Sequence, residues 1–136
     1  MSMSRVLTPQ QVESLVRDAF NTANGASAQK QRLSLGAGAP SHEFDLYEAN
    51  KVIGGISTSP WLNKSGSNNT GGQDRASTEL LWLSLWPGCE KRVHVLTDGK
   101  MAQRLFRRFS GACFPQRIEI QHFDRKANVF SVVGTL

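Results

Sequence analysis

The sequence predicts an α/β protein in which a mixed central sheet is flanked by helices. The segment His42 to Ser59 combines strand periodicity with a tight turn, which is typical of a β-hairpin. Helical and strand patterns then alternate along the chain, as they do in βαβ units. A chain of 136 residues can bury one core, so we expect residues 1–136 to form a single domain.

Composition restricts the environment and the partners of this domain. The net charge of +5 permits binding to a polyanion such as DNA but does not require it. Cys89 and Cys113 form no CxxC motif, and we expect them to be reduced, partly buried thiols. No apolar run is long enough to span a membrane, and residues 1–10 contain no apolar signal core. We therefore expect a cytoplasmic protein with no membrane partner.

The first helix is predicted to begin at Thr8, whose hydroxyl can cap it, with Pro9 in its first turn, and to end near Ala23. One stripe of apolar residues has helical spacing: Val12, Leu15, Val16, Ala19 and Phe20. Glu13 and Arg17 lie one turn apart, and we expect them to pair on a more exposed face.

The hairpin is preceded by a polar connector, predicted for residues 26–32, and by a short edge strand at residues 33–35. In the hairpin, Asn50 tolerates the positive φ of a tight turn. Gly54 and Gly55 then interrupt an apolar, β-branched strand. Adjacent glycines in a strand indicate a bulge under a helix or, alternatively, a close approach of a ligand to the backbone.

The hairpin is followed by residues 60–72, a Gly-, Ser- and Asn-rich loop predicted to be mobile, in which Trp61 is expected to pack on the sheet. The second helix is predicted at residues 73–86, capped near Asp74. It is apolar on nearly all sides, which favours burial within the chain or, alternatively, a homodimer. The residues of that homodimer contact would be Trp82, Leu85 and Trp86.

The remainder of the sequence, after the second helix, predicts a βαβ unit. Residues 92–97 have a strand pattern, Asp98 caps a helix at residues 99–109, and residues 117–123 form the next, parallel strand. Residues 129–133 are predicted as a last edge strand.

The outer face of this third helix is basic, which is typical of a solvated face and alternatively of a phosphate-facing patch. The residues of this face that would contact nucleic acid are Lys100, Arg104, Arg107 and Arg108, and Lys64 of the loop at residues 60–72 would join them.

The order of these elements and the tripeptide Phe44-Asp45-Leu46 resemble the PD-(D/E)XK, or restriction-endonuclease-like, nuclease superfamily over about residues 8–123. The resemblance implies a core of order α-β-β-β-α-β-α-β, in which Asp45 is the first acid of a metal site. Glu13 matches the acid of the first helix by position only. Where the family has a second acid and a lysine, however, this sequence has Gly55 and Ser57.

This departure affects catalysis, because paired carboxylates hold Mg²⁺ and the lysine orients or activates the attacking water. With Asp45 alone, we expect a lost catalytic site and no cofactor. The alternative is a migrated site that binds Mg²⁺ through Asp45 and Glu79, with Asp74 and Arg75 on the second helix and Glu43 on the strand of Asp45 as further candidates.

Three functions follow from these observations. The first is a non-catalytic nuclease-fold domain that binds nucleic acid or a protein partner. The second is a metal-dependent DNA endonuclease with a migrated site, and the third is a homodimeric structural or interaction protein. His42, His94 and His122 lack metal-ligand spacing and are expected on the core or on strand faces, and Ser57 lies in no nucleophile-elbow motif.

Overall fold

The computed structural model describes residues 6–136, which form three helices and a six-stranded sheet. The helices are α1 (Pro9–Asn24), α2 (Thr70–Leu85) and α3 (Gly99–Phe109). The strands are β1 (Gln29–Ser34), β2 (Ser41–Glu48), β3 (Val52–Ser57), β4 (Lys91–Leu96), β5 (Ile118–Asp124) and β6 (Val129–Thr135). The predicted α/β class is confirmed. The absence of an export signal is predicted from residues 1–10, of which residues 1–5 lie outside the described residues.

The six strands lie side by side in chain order. β3, β4 and β5 are parallel, whereas β1, β2 and β6 pair antiparallel with their neighbours. Parallel neighbours need a crossover, and α2 and α3 provide the two crossovers. The ends of the parallel strands therefore meet at one edge of the sheet, which we call the carboxyl edge: Ser57, Leu96 and Asp124.

Helices cover both faces of the sheet. α1 buries Val12, Val16 and Phe20 against one face, the α1 face. α2 and α3 bury apolar residues against the other, the α2 face: Ala76, Leu80, Leu83, Met101, Ala102 and Leu105. Parallel strands covered on both faces are expected to be apolar throughout, and β3 is buried from Val52 to Ile56.

The first helix begins as predicted. The Thr8 hydroxyl accepts from the Gln11 backbone N–H, the Gln11 side chain accepts from the Thr8 N–H, and Gly25 ends the helix with φ of 57°. Glu13 and Arg17 pair at 2.7 Å, but the predicted exposed face is wrong, because both side chains are only 16 % exposed and lie towards the sheet.

Other boundaries differ from prediction for identifiable reasons. β1 begins at Gln29 and not at residue 33, because an edge strand exposed on both faces has no alternating pattern. α2 begins at Thr70 under an Asn69 cap, so Asp74 lies within the helix and is exposed. The thiols of Cys89 and Cys113 are free as predicted but exposed, not partly buried.

The hairpin turn is confirmed, with φ of 63° at Asn50. The predicted bulge at the glycines of β3 is wrong, because their pairing is regular; the register shifts lie in β2 and in β6. Gln29 pairs with Tyr47 and Gln31 with Phe44, so β2 has one more residue than β1 in this interval. The extra residue shifts the side chains of β2 at Asp45, where pairing with β3 has also ended, since the last paired residues are Leu46 and Gly54.

Candidate functional site

Asp45 lies where β2 and β3 separate. Its Oδ2 accepts a hydrogen bond from the Ile56 N–H at 2.8 Å, so the carboxylate satisfies a β3 donor that β2 no longer pairs. Its backbone carbonyl accepts from Arg17 Nε at 2.9 Å. These two contacts fix the aspartate between the strands.

Glu79 reaches the same region from α2 and lies directly over Gly55. A Cβ atom placed on Gly55 would be 2.4 Å from Glu79 Cγ and 2.6 Å from Oε1, so a side chain at position 55 would exclude this glutamate. A close approach to the glycine backbone thus occurs, but a helix side chain makes it; the approach of a ligand stays a prediction. Sequence reasoning named Glu79 as a candidate; the structure brings it next to the position of the missing acid.

The two oxygens of Glu79 have different surroundings. Oε2 lies 3.0 Å from His42 Nε2, whereas Oε1 is buried and has no hydrogen-bond partner among residues 6–136. The His42 ring is stacked on Trp82, with ring centroids 4.6 Å apart. His42 therefore holds one oxygen of Glu79, whereas the other is buried without a hydrogen-bond partner among the described residues.

Asp45 has the clearest electrostatic perturbation of the site. Burial raises the pKa of its carboxyl to about 7, and the nearby charges of Glu13 and Glu79 act in the same direction. The hydrogen bond from Ile56 lowers this pKa but does not cancel the effect. Burial is therefore the main cause of the raised pKa, and the two neighbouring carboxylates add to it.

A second cluster of charges lies on the α1 face. Lys30 Nζ is 3.0 Å from Glu13 Oε1 and 3.5 Å from Glu43 Oε1, and Glu13 also pairs with Arg17. The hydrogen bond with Glu13 raises the pKa of Lys30. Sequence reasoning missed Lys30 because residues 29–32 were assigned to a connector; an edge-strand assignment would have placed it beside β2.

His94 lies on β4, fully buried on the α2 face, and its Nε2 is 2.7 Å from Ser57 Oγ. Its Nδ1 has no hydrogen-bond partner within the described part of the chain. Burial lowers the pKa of His94 to about 4, although Glu79 acts in the opposite direction. His94 is therefore neutral at physiological pH. Ser57, which stands where PD-(D/E)XK nucleases have a lysine, contacts this uncharged ring.

Protonation of His94 is expected to destabilise the fold in acid. The pKa is about 6.5 unfolded and about 4 folded, so the unfolded chain binds more protons between these values. The contribution of neutral His94 to the free energy of unfolding is complete above pH 6.5 and falls by about 3 kcal/mol as the pH drops to 4. Urea unfolding of the wild type and of His94→Gln measures this contribution as a difference in the free energy of unfolding that changes with pH. A difference that is constant from pH 7 to pH 4 would contradict the assignment.

A cavity of about 180 Å³ opens beside Glu79 at the carboxyl edge. Its lining is mainly polar: Ile56, Ser57, Thr58, Ser59, Gly72, Arg75 and Glu79. Arg75 Nη2 is 3.3 Å from Ser59 Oγ. The cavity thus brings together a carboxylate, a guanidinium group and several hydroxyl groups. Asp74, the other predicted acid of α2, is exposed and does not line it.

The predicted nucleic-acid contacts lie mostly on open surface. Lys64, Lys100, Arg104 and Arg107 are exposed. Arg108 is also exposed and lies over the half-buried Trp61 ring, 5.1 Å from its centroid, with Nη1 3.4 Å from Ser77 Oγ. The loop residue Trp61 therefore packs against the core as predicted, whereas the mobility of residues 60–72 stays a prediction.

The aromatic residues of the predicted homodimer contact have partners within the chain. Trp82 stacks on His42, and Trp86 contacts Phe44 edge-on and donates from Nε1 to Glu90 Oε1 at 3.0 Å. Leu85 is 50 % exposed. Burial within the chain thus accounts for both tryptophans, and the homodimer stays a prediction.

The fold and site together define an α/β domain in which Asp45 and Glu79 approach each other at the carboxyl edge of a mixed sheet. Family models, curated proteins and solved structures were all compared with this chain, and none matched. The resemblance to PD-(D/E)XK nucleases therefore stays a prediction. Among residues 6–136, no three His, Cys, Asp or Glu side chains are grouped to hold a metal ion. Within the same range, no helix is long and apolar enough to cross a membrane.

Proposed function

We propose that this protein is a Mg²⁺-dependent nuclease whose second acid is supplied by Glu79 of α2. The observation that carries this proposal is the position of the Glu79 carboxylate over Gly55, close enough to Asp45 to help raise its pKa. A carboxylate from the helix thus fills the space that an acidic side chain at position 55 would occupy.

The donors fit Mg²⁺. This ion prefers oxygen ligands and is commonly held by one or two carboxylates, with water and substrate phosphate completing the shell. Asp45 and Glu79 are the residues that would hold it, and the buried, unpartnered Oε1 of Glu79 is a free donor atom. Such an ion would stabilise negative charge on the scissile phosphate and lower the pKa of a bound water.

Arg75 is the residue best placed to replace the missing lysine. In β3, positions 55 and 57 are two residues apart, about 6.6 Å along a strand. In α2, Arg75 and Glu79 are four residues apart, about 6 Å along one face of a helix. Because α2 runs back against β3, Glu79 lies over Gly55 and Arg75 lines the cavity at Ser57. Arg75 would bind the phosphate, and Ser57 and Ser59 would donate hydrogen bonds to it.

Cleavage of supercoiled plasmid with Mg²⁺ or Mn²⁺ tests the proposal. Glu79→Gln keeps the length of the side chain and its contact with His42, but it is expected to lower the cleavage rate at least about 100-fold, because a neutral amide is a poor cation ligand. Asp74→Asn, which removes an exposed acid on the same helix, is expected to cleave like the wild type. Absence of cleavage by the wild type with either metal would overturn the proposal.

A second candidate is a domain that binds nucleic acid or a protein partner without cleaving. It is favoured by the surroundings of Lys30, a lysine next to β2 that could in principle replace the missing catalytic lysine. Lys30 is already paired with Glu13 and Glu43, on the face opposite Glu79. Ser57 cannot replace that charge. Binding of a DNA duplex without cleavage, weakened by charge reversal at Arg104 or Arg107, would favour this function over the first.

A further inference from the structure

A second groove lies at the carboxyl edge, next to the cavity of Glu79 and with a volume of about 540 Å³. Its lining residues come from α1, the residue after β4, the end of β5 and the β5–β6 turn: Leu15, Thr97, His122, Asp124, Arg125 and Lys126. The Thr97 N–H donates to the Ser57 carbonyl at 3.1 Å, and Ser57 lines the cavity of Glu79. The groove and the cavity are therefore neighbours along one edge.

The charge of this groove favours an anion. Arg125 and Lys126 are exposed, and neither side chain forms an ion pair within residues 6–136. The one carboxylate, Asp124, accepts from the Lys126 N–H at 3.0 Å and the Ala127 N–H at 3.3 Å, which directs it onto its own turn. Two cations thus lie beside one carboxylate that already has donors.

We propose that this groove binds a backbone phosphate of the same nucleic-acid strand whose scissile phosphate lies at Arg75. Ser57 and His122 are two strands apart, or about 10 Å at the usual strand spacing. Because the path along one strand is longer than the duplex axial rise of about 3.4 Å per nucleotide, about two nucleotides cover this distance. Leu15, which is 39 % exposed, provides an apolar wall for a sugar or base.

This inference rests on the proposed function and specifies its substrate class. A ligand that occupies both the cavity and the groove must carry two phosphates about 10 Å apart along one backbone, so the substrate is a polynucleotide and not a mononucleotide. The basic face of α3 is not needed for this contact.

Binding of a fluorescently labelled 12-nucleotide single strand, measured by anisotropy in EDTA to prevent cleavage, tests the groove. Arg125→Glu is expected to weaken binding about 5- to 10-fold at low salt and to reduce the slope of log affinity against log salt by about 0.7. Arg117→Glu makes the same charge change at the opposite end of β5, where Arg117 is exposed, and is expected to have a clearly smaller effect. A mononucleotide is expected to compete poorly with the 12-mer.

The outcomes separate the groove from the nuclease. Equal losses of affinity in Arg125→Glu and Arg117→Glu would overturn the proposed phosphate site in the groove, whether or not the protein cleaves plasmid. A specific effect of Arg125→Glu without cleavage by the wild type would support the groove and reject the nuclease. Efficient competition by a mononucleotide would contradict the polynucleotide assignment. Circular dichroism of both variants at the assay temperature checks that each is folded.

Discussion

Replacing Asp45 with Asn is expected to stabilise the protein at pH 8 while abolishing Mg²⁺-dependent cleavage. Asparagine keeps an oxygen that can accept from the Ile56 N–H, but it removes a charge that burial and two nearby glutamates disfavour. Because the folded pKa of about 7 lies above the unfolded value of 3.8, wild-type stability falls as the pH rises between them. The stabilisation by Asn should therefore be near zero at pH 4 and roughly 2–4 kcal/mol at pH 8.

Urea unfolding of both proteins between pH 4 and pH 8 measures this difference directly. Asp74→Asn, at an exposed carboxylate of α2, is the matched control and should change stability by less than about 0.5 kcal/mol at every pH. Mg²⁺ should raise the unfolding midpoint of the wild type but not that of Asp45→Asn, since ligand binding to the folded state stabilises it. An Asn variant that is less stable than the wild type at pH 8 would show that the carboxylate is not strained by burial.

Replacing Arg92 with Met is expected to destabilise the protein by about 3–5 kcal/mol, because it leaves buried carbonyl groups without donors. Arg92 is 5 % exposed and lies where α2 ends. Its guanidinium group donates to the carbonyls of Leu83 at 2.9 Å, Glu90 at 3.2 Å and Gly88 at 3.0 Å, and also to that of Trp86. It thus satisfies carbonyls at the end of α2 and in the segment that follows; of these, the Leu83 carbonyl also accepts a long hydrogen bond from the Trp86 N–H at 3.4 Å.

Urea denaturation at pH 7, followed by circular dichroism, measures the loss. Since the whole free energy of unfolding of a small domain is about 5–15 kcal/mol, Arg92→Met could unfold outright, and Arg92→Lys provides a milder second variant. Lysine keeps the charge but cannot reproduce the planar fork, so an intermediate loss is expected. Arg104→Met, at an exposed arginine of α3, is the control. A loss below about 1 kcal/mol for Arg92→Met would mean that water satisfies these carbonyls equally well.

If the proposed function is correct, Asp45 is held in place for that function at the expense of stability. Its carboxylate lies where the bulge of β2 and the end of β2–β3 pairing coincide, and it accepts a hydrogen bond from the Ile56 N–H there. A cation there would reverse the unfavourable clustering with Glu13 and Glu79. Stability and activity are therefore predicted to change in opposite directions at this residue.

The sequence by itself determined the α/β class, the start of α1 at Thr8 and the hairpin turn at Asn50. These features depend on local chemistry, namely a capping hydroxyl, a residue that tolerates positive φ, and side-chain periodicity. It also named Asp45 and Glu79 among the candidate acids, and their role stays a prediction. It misplaced the starts of β1 and α2, where polar or glycine-rich residues hide the periodicity.

Only the tertiary structure decided which charged groups meet. Glu79 and Gly55 are far apart in sequence, and the helix crossover brings them together; Asp74, five residues before Glu79, faces away because of helical periodicity. Lys30 reaches Glu13 only because β1 pairs with β2, and His94 loses its charge only because both faces of β4 are covered. These outcomes depend on long-range packing and burial, and no local sequence pattern encodes either.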